Sequence, residues 1–317
     1  MKNSMQRAFK FLIGLSLCCF FLEARAFDFS VSLLSNETLH NPTSLQFGPD
    51  GRLYVSEQFG TIHAYTIVRN GPDDYAVTAH ETINLVKNIP NHNDNGSLNA
   101  SVNERQISGI LVAGTSSNPV LYVTSSDPRI GAGAGGSDLD LDTNSGVISR
   151  LTKSGGTWTK VDLVRGLPRS EENHSQNGMQ LDTAANILYV TAGGNTNAGG
   201  PSTNFAFSSE YALSAAILSV DLNVLNTMPV QGTAGSQFVY DLPTVDDPTR
   251  SNVNGADVND PFGGNDGRNQ AKLVAGGPVQ IHASGFRNPY DLVIMQTAPH
   301  AGRMYTFDNG ANPGWGG

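Results

Sequence analysis

Apolar and polar residues alternate with a period of two over short runs along most of the chain, and Gly, Pro, Asp and Asn bound the runs. That period places alternate side chains on opposite faces of a strand. Residues 42–47 read as one such strand, 48–51 (Gly-Pro-Asp-Gly) as a tight turn, 52–56 as the returning strand and 61–67 as a third. An apolar-Tyr-apolar core marks the returning strand. It recurs as Leu53-Tyr54-Val55, Leu121-Tyr122-Val123, Leu188-Tyr189-Val190 and, loosely, Met304-Tyr305-Thr306. A unit of three or four strands repeated at irregular, loop-inflated spacing predicts an all-β fold of the β-propeller type.

The units are expected over residues 40–68, with outer strands at 76–78 and 82–86, then from Gln106 through 121–125 to 147–151. A third spans 179–181, 187–191 and 215–220, and a fourth 291–294 and 303–307. The interval 222–290 leaves room for about one more, so about four to five blades are expected in this chain. Residues 91–103 read as a surface loop and 243–269 as a long excursion over one face. No linker divides the region into domains. Residues 308–317 follow the last strand with no closing element, which reads as the N-terminal part of a longer ring.

The first 26 residues fall outside this pattern. Lys2, Arg7 and Lys10 precede an almost wholly apolar run over 11–22, and Ala24-Arg25-Ala26 then offers small residues to a signal peptidase. The run is too short to span a bilayer, which takes about 20 residues. The chain is therefore expected to be exported, to the periplasm or the exterior, with residues 27–317 as the folded part. Both cysteines lie in the leader, Cys18 and Cys19, so stability must come from core area and sheet closure rather than disulfides. Nineteen Lys+Arg stand against 28 Asp+Glu, and four of the basic residues belong to the leader. A surface so acidic repels phosphate backbones and anionic lipid, which speaks against nucleic-acid partners and membrane insertion.

In an antiparallel hairpin the start of the first strand and the end of the second share an edge. The entries at Gln106, 174–178 and Arg287-Asn288 then face the same side as the exits at 57–58, 126–127, 193–195 and 308–309. Gln, His, Arg and Asn converging on a channel mouth make a candidate ligand site. His174 is the candidate base, since imidazole can take a proton from an alcohol near neutral pH. Arg287 is the candidate anion clamp, because guanidinium matches a carboxylate through two hydrogen bonds.

Three of these segments carry a resemblance. Gln106-Ile107-Ser108-Gly109-Ile110, the His-x-x-x-Gly entry at 174–178 and Gly285-Phe286-Arg287-Asn288-Pro289 resemble, in order, strand entries of the soluble quinoprotein glucose/sorbosone dehydrogenase family. The resemblance implies a six-bladed propeller that binds pyrroloquinoline quinone (PQQ) over its channel together with Ca2+. It implies that His174 deprotonates a sugar hydroxyl while hydride passes to the quinone. Gln106, Arg287 and Asn288 would hold the cofactor's carboxylates and quinone oxygens, the backbone carbonyls of Gly310 and Ala311 would bind calcium, and Asn309 would lie beside them. The partners implied are a small sugar or polyol and an external electron acceptor. The family's acid before its His is Asn173 here, and the aspartate that orients that His is Gly194. His174 is thus expected to lack a carboxylate partner on the ring.

Two other patterns compete. Residues 131–136 fit G-x-G-x-x-G, but no helix follows to make a dinucleotide site. Residues 138–146 alternate Asp and Asn like a calcium loop but have Thr143 where Gly is needed and Ser149 where Glu is needed, so a solvated acidic loop is expected. No serine, zinc or thiol protease motif is present. A non-catalytic propeller that binds carbohydrate or protein, and a calcium-dependent propeller lactonase, remain as alternatives.

Overall fold

The computed structural model describes residues 31–94, 96–132, 138–197, 199–245 and 270–311. The expected signal peptide, most of the 131–136 glycine run and most of the 243–269 excursion lie outside them.

The fold is all-β; among the described residues there is one short α-helix and one 3-10 turn. The first sheet contains β1 (Leu34–Ser35), β2 (Pro42–Phe47), β3 (Leu53–Glu57), β4 (Ile62–Gly71) and β5 (Asp74–Ile83), in the order β1-β5-β4-β3-β2. β6 (Gln106–Gly114), β7 (Pro119–Ser126), β8 (Gly146–Ser154) and β9 (Thr157–Leu167) form the second as an antiparallel meander. The third contains β10 (Gln176–Asp182), β11 (Ile187–Ala192) and β12 (Ala216–Asp221), followed by α1 (Leu222–Thr227). β13 (Phe238–Asp241) then returns to pair in parallel with β9, and β14 (Thr244–Val245) pairs with β15 (Gln270–Ala271). β16 (Val279–Ser284) completes the third sheet beside β12, and β17 (Pro289–Ile294) with β18 (Met304–Asp308) makes a final hairpin.

Turn and side-chain chemistry fix the hairpins. At residues 48–51 the Gly51 N–H donates to Gly48 O at 3.0 Å and the Gly48 N–H to Arg52 O at 2.9 Å, which sets Phe47 opposite Leu53. Asp221 caps α1 by accepting from the N–H groups of Asn223 and Val224. Apolar residues of neighbouring sheets fill two main cores. Tyr54, Ile62, Leu121, Val123 and Leu151 meet between the first and second sheets. Ile148, Val164, Leu188, Val190 and Leu218 meet between the second and third. Full burial of each aliphatic side chain contributes about 1.5–3 kcal/mol.

The first strands of the four main sheets, β2, β6, β10 and β17, pack side by side around a common centre. Polar side chains stitch each to the next. The Gln46 carboxamide bonds both Val112 N and Val112 O, Ser108 Oγ donates to Gln176 O at 2.6 Å, and Asn177 Nδ2 donates to Pro289 O at 3.0 Å. Tyr290 Oη donates to Thr43 O at 3.4 Å, which returns the circuit to β2. The strands enclose a cavity of about 320 Å3 lined by Ser44, Ser108, Tyr290 and Asp291, among others.

The structure departs from the sequence reading at several places. Among the described residues, 222–290 adds β13 to the second sheet and β16 to the third, and only β14 and β15 pair with each other as a separate two-stranded ladder. The eleven-residue β9 was hidden because Lys160 and Asp162 interrupt its apolar pattern. They are buried, paired at 2.7 Å, and Ser149 Oγ adds a bond to Asp162. Residues 141–146 are not solvated: Asp142, Thr143, Asn144 and Ser145 are all buried. Arg105, itself fully buried, donates to Ser145 O, and Arg169 N donates to Thr143 O at 2.8 Å. The 91–103 loop is likewise pinned, with Asn91 Nδ2 donating to Val102 O and Glu104 O.

Candidate functional site

The registers Gln106↔Ser126, Gln176↔Ala192 and Pro289↔Asp308 put the predicted entries and exits on one edge. Just before β10 the chain closes on itself: Ser170 N donates to His174 O at 2.9 Å, and His174 N donates to Ser170 Oγ at 2.9 Å. This small loop presents the imidazole at the edge while burying it, and only 4% of His174 is exposed.

The ring's tautomer follows from its partners. Nδ1 lies 2.9 Å from the carbonyl oxygen of Gly194, which can only accept, so Nδ1 carries the proton. Nε2 keeps its lone pair and lies 3.4 Å from Glu172 Oε2. Phe205 packs against the ring edge-on at 5.0 Å. Burial, and then the charge of Arg287, lower the His174 pKa to about 3, so the ring is neutral. Burial raises the Glu172 carboxyl above the ordinary range.

The absence of a side chain at 193 and 194 is what lets the groups meet. A Cβ on Gly193 would lie 2.6 Å from Asn288 Oδ1 and 2.7 Å from His174 Cβ. A Cβ on Gly194 would meet Glu210 Oε1 at 2.8 Å. Glu210 thus takes up the space an acid at 194 would need, and it anchors the loop by accepting from Asn195 N (2.8 Å), Thr196 Oγ1 (2.5 Å) and Ser214 Oγ (2.6 Å). The ring does have a carboxylate neighbour, Glu172 at Nε2, which the sequence reading did not expect, and the backbone carbonyl of Gly194 on Nδ1 fixes its tautomer.

Arg287 and Asn288 share one anchor. Asp308 accepts from Arg287 N at 2.9 Å and from Asn288 N at 2.7 Å. Arg287 O accepts from Gly194 N at 2.7 Å, and Arg287 Nε donates to Asn197 Oδ1 at 2.8 Å. Asn177 Nδ2 donates to Asn288 Oδ1 at 2.8 Å. Gln106 lies behind the histidine loop, its carboxamide 3.5 Å from Asn173 O and 3.4 Å from Arg169 Nη2. Arg169 is fully buried, and burial lowers its pKa to about 10, which leaves it charged.

Beside His174 a cleft of about 580 Å3 is lined by Thr196, Asn197, Glu210, Arg287, Asp308 and the backbone of Gly310 and Ala311. Asn309 N donates to Asn288 O at 3.2 Å and holds that segment against the arginine loop. All seven predicted site residues therefore lie at one edge, with His174, Arg287 and Asn288 around the two glycines, Gln106 behind them and Asn309, Gly310 and Ala311 along the cleft. Among the described residues no group of three or more His, Cys, Asp or Glu side chains is gathered to hold a metal. Sequence reasoning missed Glu172, Glu210, Asp308 and Arg169. Glu172 was within reach, two residues from His174; nothing in the pattern marks Glu210.

No protein-family model matches the chain, and no curated protein matches it. Two solved structures of a Trichoderma reesei protein, described as Carbohydrate-Active Enzymes Family AA12, are similar at low level. The iodide structure is 16% identical over 61% of this chain and 39% of that one, with a TM-score of 0.38. The calcium structure is 15% identical over 60% and 37%, with a TM-score of 0.36. This chain thus spans well under half the length of those proteins. Among the described residues no helix is long and apolar enough to cross a membrane.

Proposed function

We propose that the chain forms an exported β-propeller of the six-bladed, quinoprotein glucose/sorbosone dehydrogenase type, which oxidises a hydroxyl of a sugar or polyol with PQQ and Ca2+. The observation that carries the reading is His174: a neutral imidazole whose Nδ1 is committed to Gly194 O, which leaves Nε2 as its basic nitrogen, with Arg287, whose charge acts on the ring, in the wall of the neighbouring cleft. The ring of first strands β2, β6, β10 and β17 supports the propeller part.

The donor set suits the cofactor. A tricarboxylate needs a guanidinium, which Arg287 supplies, and Ca2+ takes hard oxygens such as the backbone carbonyls of Gly310 and Ala311 beside Asn309. Gln106 and Asn288 would complete the hold on the quinone; the two bonds Gln106 makes are both long, 3.5 and 3.4 Å, and are readily exchanged for a ligand. When bound, PQQ supplies a two-electron acceptor.

The protein's own part is acid–base chemistry and positioning. His174 Nε2 accepts the hydroxyl proton as the carbonyl forms, and the Nδ1–H bond to Gly194 O steadies the imidazolium that results. Arg287 orients an anionic ligand, and its neutralisation by that ligand removes part of the repulsion that keeps His174 neutral, so the base strengthens when the site fills. The electrons pass on to an external acceptor. His174→Ala is expected to abolish sugar-dependent dye reduction and to leave PQQ binding intact; an unchanged rate would overturn the role of His174.

A further inference from the structure

His174, the base of the proposed reaction, has to lose the proton it gains, and burial leaves it few outlets. Its Nδ1 is occupied by Gly194 O, Phe205 covers one side of the ring, and 4% of the residue is exposed. The two cations nearest in charge, Arg287 and Arg169, both act against an imidazolium. Among the described residues the carboxylate paired with the ring is Glu172, a group that can take a proton.

Three features of Glu172 fit this. Its Oε2 lies 3.4 Å from His174 Nε2, and that oxygen is sealed from solvent with no hydrogen bond of its own. The side chain as a whole keeps 28% of its surface open, so it joins the buried ring to water. It sits on the short loop that Ser170 closes, with the Asn173 N–H bonded to Ser170 Oγ at 3.2 Å, so it moves with His174. A buried oxygen with no partner is costly unless it gains one in another state of the site. A separation of 3.4 Å is long for a hydrogen bond, but such pairs tighten when the ring is charged.

We propose that Glu172 is the proton exit of the site, the carboxylate that takes the proton from His174 Nε2 and delivers it to water. This rests on the dehydrogenase reading and completes its proton balance. The substrate O–H bond breaks and its proton goes to Nε2, while the C–H bond at the carbon that carries the hydroxyl breaks, its hydride reduces a quinone-class acceptor, and that carbon becomes a carbonyl. The N–H bond at Nε2 then breaks as an O–H bond forms on Glu172, and water takes that proton at the mouth. Burial drives the transfer outward, because it disfavours the imidazolium and favours the carboxylic acid. Arg287 and Arg169 temper this from their side by favouring the carboxylate, which lets Glu172 release the proton again.

The test uses the full chain without cofactor and with 15N-labelled histidine rings, with His174→Gln to assign the signal. Across about pH 4 to 9, Nδ1 is expected to remain protonated, while the Nε2 resonance shifts in one step as Glu172 ionises. In Glu172→Gln that step is expected to vanish with the Nδ1–H signal retained. The same titration in both proteins would mean that the pair exchanges no proton, and would overturn the proposal. With PQQ and Ca2+ added, Glu172→Gln is expected to slow sugar oxidation about 10- to 100-fold, and formate or acetate buffer is expected to restore part of the rate. A full rate in Glu172→Gln would overturn the relay. A wild-type protein that oxidises no sugar would count against the dehydrogenase reading, and the ring titration would then decide on the pair by itself.

Discussion

His174 donates its Nδ1 proton to the backbone carbonyl of Gly194 at 2.9 Å, so the ring is oriented by the main chain where a side-chain carboxylate could have stood. Restoring an acid there is predicted to fail. A Cβ at 194 would lie 2.8 Å from Glu210 Oε1 and 3.1 Å from Arg287 O. Gly194→Asp is expected to lose about 1–3 kcal/mol of stability through overpacking, read as a lower urea midpoint, and to gain no activity.

Gly193 separates His174 from Asn288, and its Cβ would fall within 2.7 Å of both. Gly193→Ala is expected to keep the fold, lower the denaturant midpoint and weaken PQQ binding, because Asn288 must move. Equilibrium unfolding and cofactor titration on the same preparation check both parts. Unchanged binding would mean that Asn288 does not hold the cofactor.

How far the sequence carries the reader differs by element. The run at Ile187–Ala192 showed through because Leu188 and Val190 alternate into a core, whereas Pro42–Phe47 was legible from its turn and alternation even though Leu45 and Phe47 stay exposed. β9 did not, since its buried Lys160–Asp162 pair imitates a solvent face. Val279–Ser284 looked like part of a further unit because its partner β12 lies more than fifty residues back, across α1 and β13. At the site, single residues at strand entries were legible: His174, Arg287 and Asn288 share an edge as hairpin geometry requires. The anchors were not. Glu210 and Asp308 act through main-chain N–H groups, and nothing in a linear pattern encodes which amide a carboxylate will find.

Stability is predicted to depend on pH through two groups of opposite sign. His174 titrates at about 3 in the folded chain against 6.5 for a free ring. Between those values the unfolded state holds a proton that the folded state lacks, so stability falls as pH falls through that window, by about 1.4 kcal/mol per unit at most. Glu171 is pushed to about 7 by burial and then by Asp138, from 4.5. Between 4.5 and 7 the folded state holds a proton that the unfolded state has released, so stability falls as pH rises. His174→Gln should flatten the acid limb of the urea midpoint. Glu171→Gln should gain on the wild type above pH 7 and match it below about 4.5.

Arg169 ties the site together from beneath. Fully buried, it donates to the carbonyls of Asp127, Arg129 and Ser170 and to Gln106 Oε1. Arg169→Met would leave those acceptors buried and unpaired. A loss of about 3–5 kcal/mol is expected, seen as a lower midpoint at an unchanged denaturant slope, whereas a loss within the range of ordinary surface changes would show that the arginine is not an organising residue.

Everything proposed for the site depends on the cofactor. Titration of the folded, full-length chain with PQQ, with and without Ca2+, followed by addition of a panel of aldoses, tests it most directly. Saturable, calcium-dependent binding seen in the quinone absorbance, weakened in Arg287→Ala and followed by bleaching when sugar is added, is the predicted result. A folded chain that leaves the quinone spectrum unchanged at saturating Ca2+ would contradict it.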